Sequence, residues 1–208
     1  MVRILKVDAE AIREAAELVL TGRLIVFPTD TVYGLGCNPY DPRAVGRLVR
    51  VKQRAKGQLP VLVASSSEAA RLGNFGSVAL RLGQRFWPGP LTLVVEANAK
   101  LPVKVTGDSG YVGLRVPNHE TAKRLIEQCG GSIVGTSANI SGRPSPRTAG
   151  DAMRQLGRHI DLVLDEGPAT LGKESTVVKV AGDEIAILRE GGIPRHEILK
   201  TIHGTHGN

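Results

Sequence analysis

The chain has 208 residues, of which 41% are hydrophobic and 23% are charged, and it carries a net charge of +7. This length and composition are typical of one globular domain and argue against a disordered chain. No apolar run approaches the roughly 18 residues of a membrane span, and MVRILKVDAE has acidic residues where a signal peptide is apolar. We therefore expect a cytoplasmic protein with no membrane partner, and the basic charge favours a nucleotide or a nucleic acid as partner.

Helical and strand patterns alternate along the chain. Apolar residues at a helical period predict a helix over 8–22, and Asp41-Pro42 predicts another that runs to about residue 52. Further helices are predicted at 67–72, 77–86, 119–128 and 148–156, and strands at 23–27, 59–64, 91–97, 111–116, 132–136 and 161–164. Residues 175–180 and 185–188 flank AGDE and predict an antiparallel hairpin. The predicted fold class is α/β with α+β character, an open mixed sheet with packed helices.

Neither a linker nor an internal repeat interrupts the chain. This predicts one domain over 1–208, with a core at about 8–200 and a flexible tail at 201–208. Cys37 and Cys129 are far apart in sequence and are expected to be free, buried thiols. The five histidines are scattered, so no protein-ligated metal is predicted.

Two polar loops are candidate ligand sites. PTDTVYGLG, residues 28–36, places Thr31 and its neighbours beyond a predicted strand, where ligands of open α/β sheets bind. SANISGRP, residues 137–144, brings Ser137, Asn139 and Ser141 close to arginines and could hold an anion. Each is also open to a plainer interpretation, as an ordinary polar turn.

Two basic stretches are candidate phosphate sites. Lys52 and Arg54 follow a predicted helix, and the loop after them could fold them over a ligand. The basic face of the helix itself is typical of a solvated surface. GPATLGKE, residues 167–174, has the Gly-x4-Gly-Lys spacing of a P-loop. It lacks the hydroxyl that binds Mg²⁺, since Glu174 stands there, and a strand-like run follows where a P-loop needs a helix.

Seven stretches together resemble the YrdC/TsaC family, the threonylcarbamoyl-AMP synthases. They are PTDTVYGLG, KQR, FWPGPLT, VGLRVPNH, TSANISGRPSP, KESTV and ILREGG, in the family's order and approximate spacing, and the resemblance covers about residues 24–192. The resemblance implies a twisted open sheet with a concave basic face. It implies a reaction of L-threonine, bicarbonate or CO₂, and ATP with Mg²⁺ that yields threonylcarbamoyl-AMP and pyrophosphate. The adenylate would pass to a downstream threonylcarbamoyl-transferase complex that modifies tRNA next to the anticodon, and direct contact with tRNA is a further expectation.

The resemblance also assigns roles to individual positions. Lys52 and Arg54 would be catalytic and would hold carbonate and phosphate oxygens. The threonine would be bound by Thr31, Arg115, Ser137 and Ser175. The nucleotide would be bound by Lys52, Thr106, Ser137, Asn139, Ser145 and Arg189.

The chain departs from the family pattern at three places. Ala55 stands where many members have proline, and VLVASSS, residues 61–67, lacks the histidine that many members have there. The chain also ends soon after ILREGG, so we expect it to lack the extra C-terminal domain of the longer members.

Two other functions are compatible with the sequence. A non-catalytic RNA-binding module would use only the basic face, although an aromatic content of 3% is low for base stacking. A P-loop-like nucleotide hydrolase would use residues 167–174.

Overall fold

The computed structural model of the chain describes residues 2–53, 58–98, 101–107 and 109–204. The strands are β1 (Arg3–Lys6), β2 (Ile25–Phe27), β3 (Gly34–Cys37), β4 (Val61–Val63), β5 (Leu91–Glu96), β6 (Tyr111–Arg115), β7 (Ser132–Ser137), β8 (Leu162–Asp165), β9 (Thr176–Ala181) and β10 (Glu184–Arg189). The helices are α1 (Ala9–Leu20), α2 (Pro42–Val51), α3 (Ser66–Leu72), α4 (Ser77–Phe86), α5 (Val103–Thr106), α6 (Glu120–Gln128), α7 (Ala149–Leu156) and α8 (Arg195–His203).

The strands of the described chain form one sheet in the order β1-β8-β2-β3-β7-β4-β6-β5-β9-β10. Parallel pairs (β1/β8, β2/β8, β4/β6 and β5/β9) are interspersed with antiparallel pairs, among them the predicted hairpin β9/β10. The predicted mixed sheet with packed helices is therefore confirmed.

Most predicted helices begin at a residue whose side chain caps the helix. The side chain of Asp8 accepts the Ala11 N–H, and Asp41 accepts two N–H groups at the start of α2. Thr148 opens α7 with a reciprocal capping box, and His119 caps α6. These helices match the predicted bounds within two residues, because capping groups and apolar periodicity are both local signals.

Four elements differ from the prediction, and one of them is α5, a one-turn helix that was not predicted. Residues 34–36 were expected in a loop, but they lie in β3, which pairs antiparallel with both β2 and β7. A Cβ at Gly36 would lie 2.8 Å from side-chain atoms of Phe27 and Ile133, so this glycine serves close packing and not a turn. β1 was missed because it pairs only with β8, at the sheet edge. The predicted tail at 201–208 is wrong for residues 201–203, which belong to α8, a helix anchored by the fully buried Ile198.

The sheet buries side chains on both faces. Leu24 and Val26 belong to a core packed by α2, α4 and α7, whereas Ile25 and Phe27 belong to a core packed by α1 and α6. This alternation is the period of two expected for a strand buried on both sides. In the described part of the chain, no helix has the length and apolarity needed to cross a bilayer.

Candidate active site

A cavity of about 310 Å³ lies over the middle strands of the sheet, on the side away from the core that contains Leu91 and Leu93. Its floor is formed by Gly34, Gly113 and Gly135, together with Leu62 and other residues of β4, β5 and β7. A Cβ at Gly135 would overlap the side chain of Leu62, so this position admits no larger residue without a shift. The glycines leave space above the sheet because they have no side chains, and the polar residues surround this space on loops and strand ends.

Five residues that were predicted to bind substrates line this one cavity. They are Thr31, Arg115, Ser137, Ser175 and Arg189. They come from five separate stretches of the sequence, which the sheet order brings together.

Arg115 lies at the end of β6 and is almost completely buried. Its guanidinium pairs with Asp30, donates from Nη1 to Thr31 Oγ1 at 2.9 Å, and donates from Nε to the Gly89 carbonyl oxygen at 3.0 Å. Burial lowers the pKa of Arg115, and the charge of Asp30 opposes that shift. These bonds within the described residues use three of the five N–H groups, which leaves two for a ligand.

Lys52 follows α2 directly and is 2% exposed. Its ammonium donates to the carbonyl oxygens of Ser137 and Asn139, the latter at 2.9 Å, and to Asn139 Oδ1 at 3.2 Å. The same amide oxygen accepts a hydrogen bond from Ser137 Oγ at 2.6 Å. Lys52 thus does not line the cavity, and its hydrogen bonds hold the loop that carries Ser137. Arg54, its predicted catalytic neighbour, and Ala55 lie outside the described residues.

The KEST stretch forms the opposite wall. Ser175 Oγ lies 2.8 Å from Thr92 Oγ1 on β5, and Arg189 donates from Nε and Nη2 to the Ser175 carbonyl oxygen at 3.1 and 2.9 Å. The carboxylate of Glu174 pairs with Arg189 and accepts a hydrogen bond from Ser145 Oγ. Ser145 therefore reaches this wall through Glu174, although it does not itself line the cavity.

Thr106 lies at the end of α5, one contact away from the cavity. Its carbonyl oxygen accepts a hydrogen bond from Gln58 Nε2 at 2.8 Å, and Gln58 lines the cavity. Sequence reasoning did not assign a role to Gln58. Nor did it assign roles to Asp30 and Glu174, although each is the one acidic residue of a stretch that carries the family resemblance.

Several plainer interpretations of the sequence are confirmed. Cys37 and Cys129 are free and buried, and burial raises the pKa of each thiol to about 12, so neither is a thiolate at neutral pH. β9 follows residues 167–174, so this stretch has no helix N-terminus for a P-loop. Ser65 caps α3 by accepting the Glu68 N–H and does not line the cavity.

No group of three or more histidine, cysteine or acidic side chains suited to a metal ion occurs among the described residues.

The family model Sua5_yciO_yrdC, described as telomere recombination, matches residues 17–191. The chain belongs to this family. It is 40% identical over 199 residues to the threonylcarbamoyl-AMP synthase of Pyrococcus abyssi, covering 95% of this chain and 58% of that protein. It is 38% identical over 198 residues to the threonylcarbamoyl-AMP synthase of Bacillus subtilis, covering 94% and 57%.

A solved structure shares the fold. The crystal structure of Pyrococcus abyssi Sua5 complexed with L-threonine matches with a TM-score of 0.91 and 39% identity, over 98% of this chain and 61% of that chain. The YrdC-like fold expected from the sequence is thereby confirmed. The chain spans less than two thirds of the length of these relatives.

Proposed function

We propose that the chain is a threonylcarbamoyl-AMP synthase, an enzyme of the nucleotidyltransferase type. The observation that carries this proposal is that Thr31, Arg115, Ser137, Ser175 and Arg189 line one cavity. The names of the relatives support it, as does the L-threonine in the complex of Pyrococcus abyssi Sua5. An RNA-binding module without chemistry is not favoured, because it would not need a recessed cavity with buried polar groups.

The reaction needs no protein nucleophile. The threonine amine attacks bicarbonate or CO₂ to give a carbamate, with water formed when bicarbonate is used. A carbamate oxygen then attacks the α-phosphorus of ATP, and pyrophosphate leaves. The protein contributes alignment and stabilisation of negative charge.

The residues divide into two groups by the substrate that each is expected to bind. The two remaining N–H groups of Arg115 suit the threonine carboxylate, while the hydroxyls of Thr31, Ser137 and Ser175 suit its amine and hydroxyl. Arg189, which lies beside Ser175, suits a phosphate. Asn139, Ser145 and Thr106 do not line the cavity and would support the nucleotide site through residues that do. Mg²⁺ would enter with ATP as part of the substrate.

Pyrophosphate release tests this proposal directly. With ATP, Mg²⁺ and bicarbonate, we expect release with L-threonine and little release without an amino acid. We expect L-valine to give a rate lower by at least about 100-fold, because a site that binds a hydroxyl leaves polar groups unpaired with an analogue that lacks it. Equal release with the two amino acids would contradict the assigned threonine site, and release without bicarbonate would contradict the carbamate step.

Contact with tRNA is a second part of the proposal, and it rests on a separate cleft of about 410 Å³. Basic side chains at the end of α2 and after α7 line it, namely Arg47, Arg50, Arg158 and His159. Arg47 pairs with Asp161 at 2.9 Å, whereas Arg50 and Arg158 form no ion pair within the described part of the chain. Such convergent charges suit the phosphates of a nucleic acid backbone.

Replacing both Arg50 and Arg158 by alanine is expected to weaken tRNA binding and to reduce the slope of log affinity against log salt by about 2, roughly one unit per phosphate contact. Pyrophosphate release should stay at the wild-type rate. The double variant of Arg13 and Arg124, which lie on α1 and α6, removes the same charge elsewhere and serves as the control. An equal loss of tRNA binding in the two double variants would rule out this cleft as the contact.

A further inference from the structure

Glu174 is the one carboxylate among the described residues that line the cavity. It contacts two residues that the proposed function assigns to the nucleotide, since one carboxylate oxygen accepts the Ser145 hydroxyl and the other pairs with Arg189 Nη1. Carboxylate and phosphate oxygens bind hydroxyl and guanidinium donors in the same way. Glu174 therefore takes donors that a nucleotide phosphate would need.

Arg189 does not depend on Glu174 for its position. Its Nε and Nη2 donate three hydrogen bonds to Ser175, two to the carbonyl oxygen and one to Oγ at 3.2 Å. Only Nη1 is directed to Glu174. A phosphate could replace the carboxylate at Nη1 while the rest of the guanidinium stayed in place.

The main chain of Glu174 is fixed, so its carboxylate can move only by side-chain rotation. The Glu174 carbonyl oxygen accepts the Gly192 N–H at 2.8 Å. A Cβ at Gly191 would overlap that carbonyl oxygen, which accounts for glycine at this position. The side chain itself is 29% exposed and borders the cavity.

A nucleotide that enters this cavity brings several negative charges close to the Glu174 carboxylate. Like charges at a partly buried site repel each other strongly, since screening by water is reduced there. A divalent cation removes the conflict, because Mg²⁺ in proteins is bound by one or two carboxylates together with substrate phosphates. Without such a cation, repulsion between the carboxylate and the phosphates weakens nucleotide binding.

Building on the proposed function, we propose that Glu174 makes nucleotide binding depend on a divalent cation. Before a nucleotide binds, it occupies the phosphate position by binding Ser145 and Arg189. When the nucleotide binds with Mg²⁺, the Glu174 side chain rotates and its carboxylate turns toward the cation. Arg189 Nη1 is then free to donate to a phosphate oxygen. Glu174 thus selects the magnesium complex of the nucleotide over the free nucleotide.

Calorimetric titration of ATP, in the absence of threonine, tests this with Mg²⁺ and again with EDTA. The quantity compared is the ratio of the dissociation constant in EDTA to that in Mg²⁺. For Glu174→Gln we expect ATP to bind more tightly than to the wild type in EDTA, and the ratio to fall at least tenfold. Glu190→Gln removes the same charge next to Arg189, has no described contact with it, and should keep the wild-type ratio.

Three other outcomes would contradict the inference. If Glu174→Gln keeps the wild-type ratio, or binds ATP more weakly by the same factor in both conditions, Glu174 only supports the wall and the inference is wrong. If Glu190→Gln lowers the ratio equally, general charge is the cause and the inference is also wrong. If the wild type does not bind ATP in either condition, the proposed function fails, and this inference fails with it.

Discussion

Replacing Lys52 by alanine is expected to lower threonine-dependent pyrophosphate release by about 100-fold or more, because the Ser137 loop loses the group that holds it in place. The same change leaves the carbonyl oxygens of Ser137 and Asn139 without their charged donor. We expect the free energy of unfolding to fall by about 3 kcal/mol, as hydrogen bonds to a charged group are worth about 1.5–3 kcal/mol each. Urea unfolding and the pyrophosphate assay measure the two effects.

Lys173→Ala is the matched control for Lys52→Ala, since Lys173 is exposed and lies in the P-loop-like stretch. It should keep wild-type stability and activity. Loss of ATP binding in Lys173→Ala, with normal ATP binding in Lys52→Ala, would instead support a P-loop-like hydrolase. Wild-type activity of Lys52→Ala would contradict both the role predicted from the sequence and the supporting role that the structure indicates.

Replacing Arg115 by alanine is expected to have the largest effect on stability, a loss of roughly 3–5 kcal/mol, because it leaves the buried Asp30 carboxylate without its partner. It also removes the two N–H groups proposed for the threonine carboxylate, so threonine binding should be lost. Denaturant unfolding measures the first effect, and calorimetric titration with L-threonine measures the second.

A double variant separates the two effects at Arg115. Arg115→Met combined with Asp30→Asn removes both buried charges, and it should regain much of the stability while threonine binding stays absent. Threonine binding at the wild-type level in this double variant would contradict the carboxylate site. A loss of less than about 1 kcal/mol in Arg115→Ala would show that the pair with Asp30 matters little to the fold.

Many of the residues that line the cavity could be predicted from the sequence. Thr31, Ser137 and Ser175 belong to stretches whose order and spacing carry the family resemblance, and the structure places all three at one cavity. Contacts between neighbours on the cavity wall could not be predicted in this way. In the sequence, Glu174 was notable only because it replaces the hydroxyl residue of a P-loop. It pairs with Arg189 because β10 lies antiparallel to β9.

The sequence by itself determined most of the helices and strands and the family, because caps, apolar periodicity and short motifs are properties of neighbouring residues. Only the tertiary structure decided that GLGC is a strand, since its glycines are required by Phe27 and Ile133 packing against it. Only the tertiary structure showed Lys52 bound to main-chain oxygens 85 and 87 residues away. Such partners meet through the order of strands in the sheet, and that order is set by the packing of the whole chain and not by any local signal.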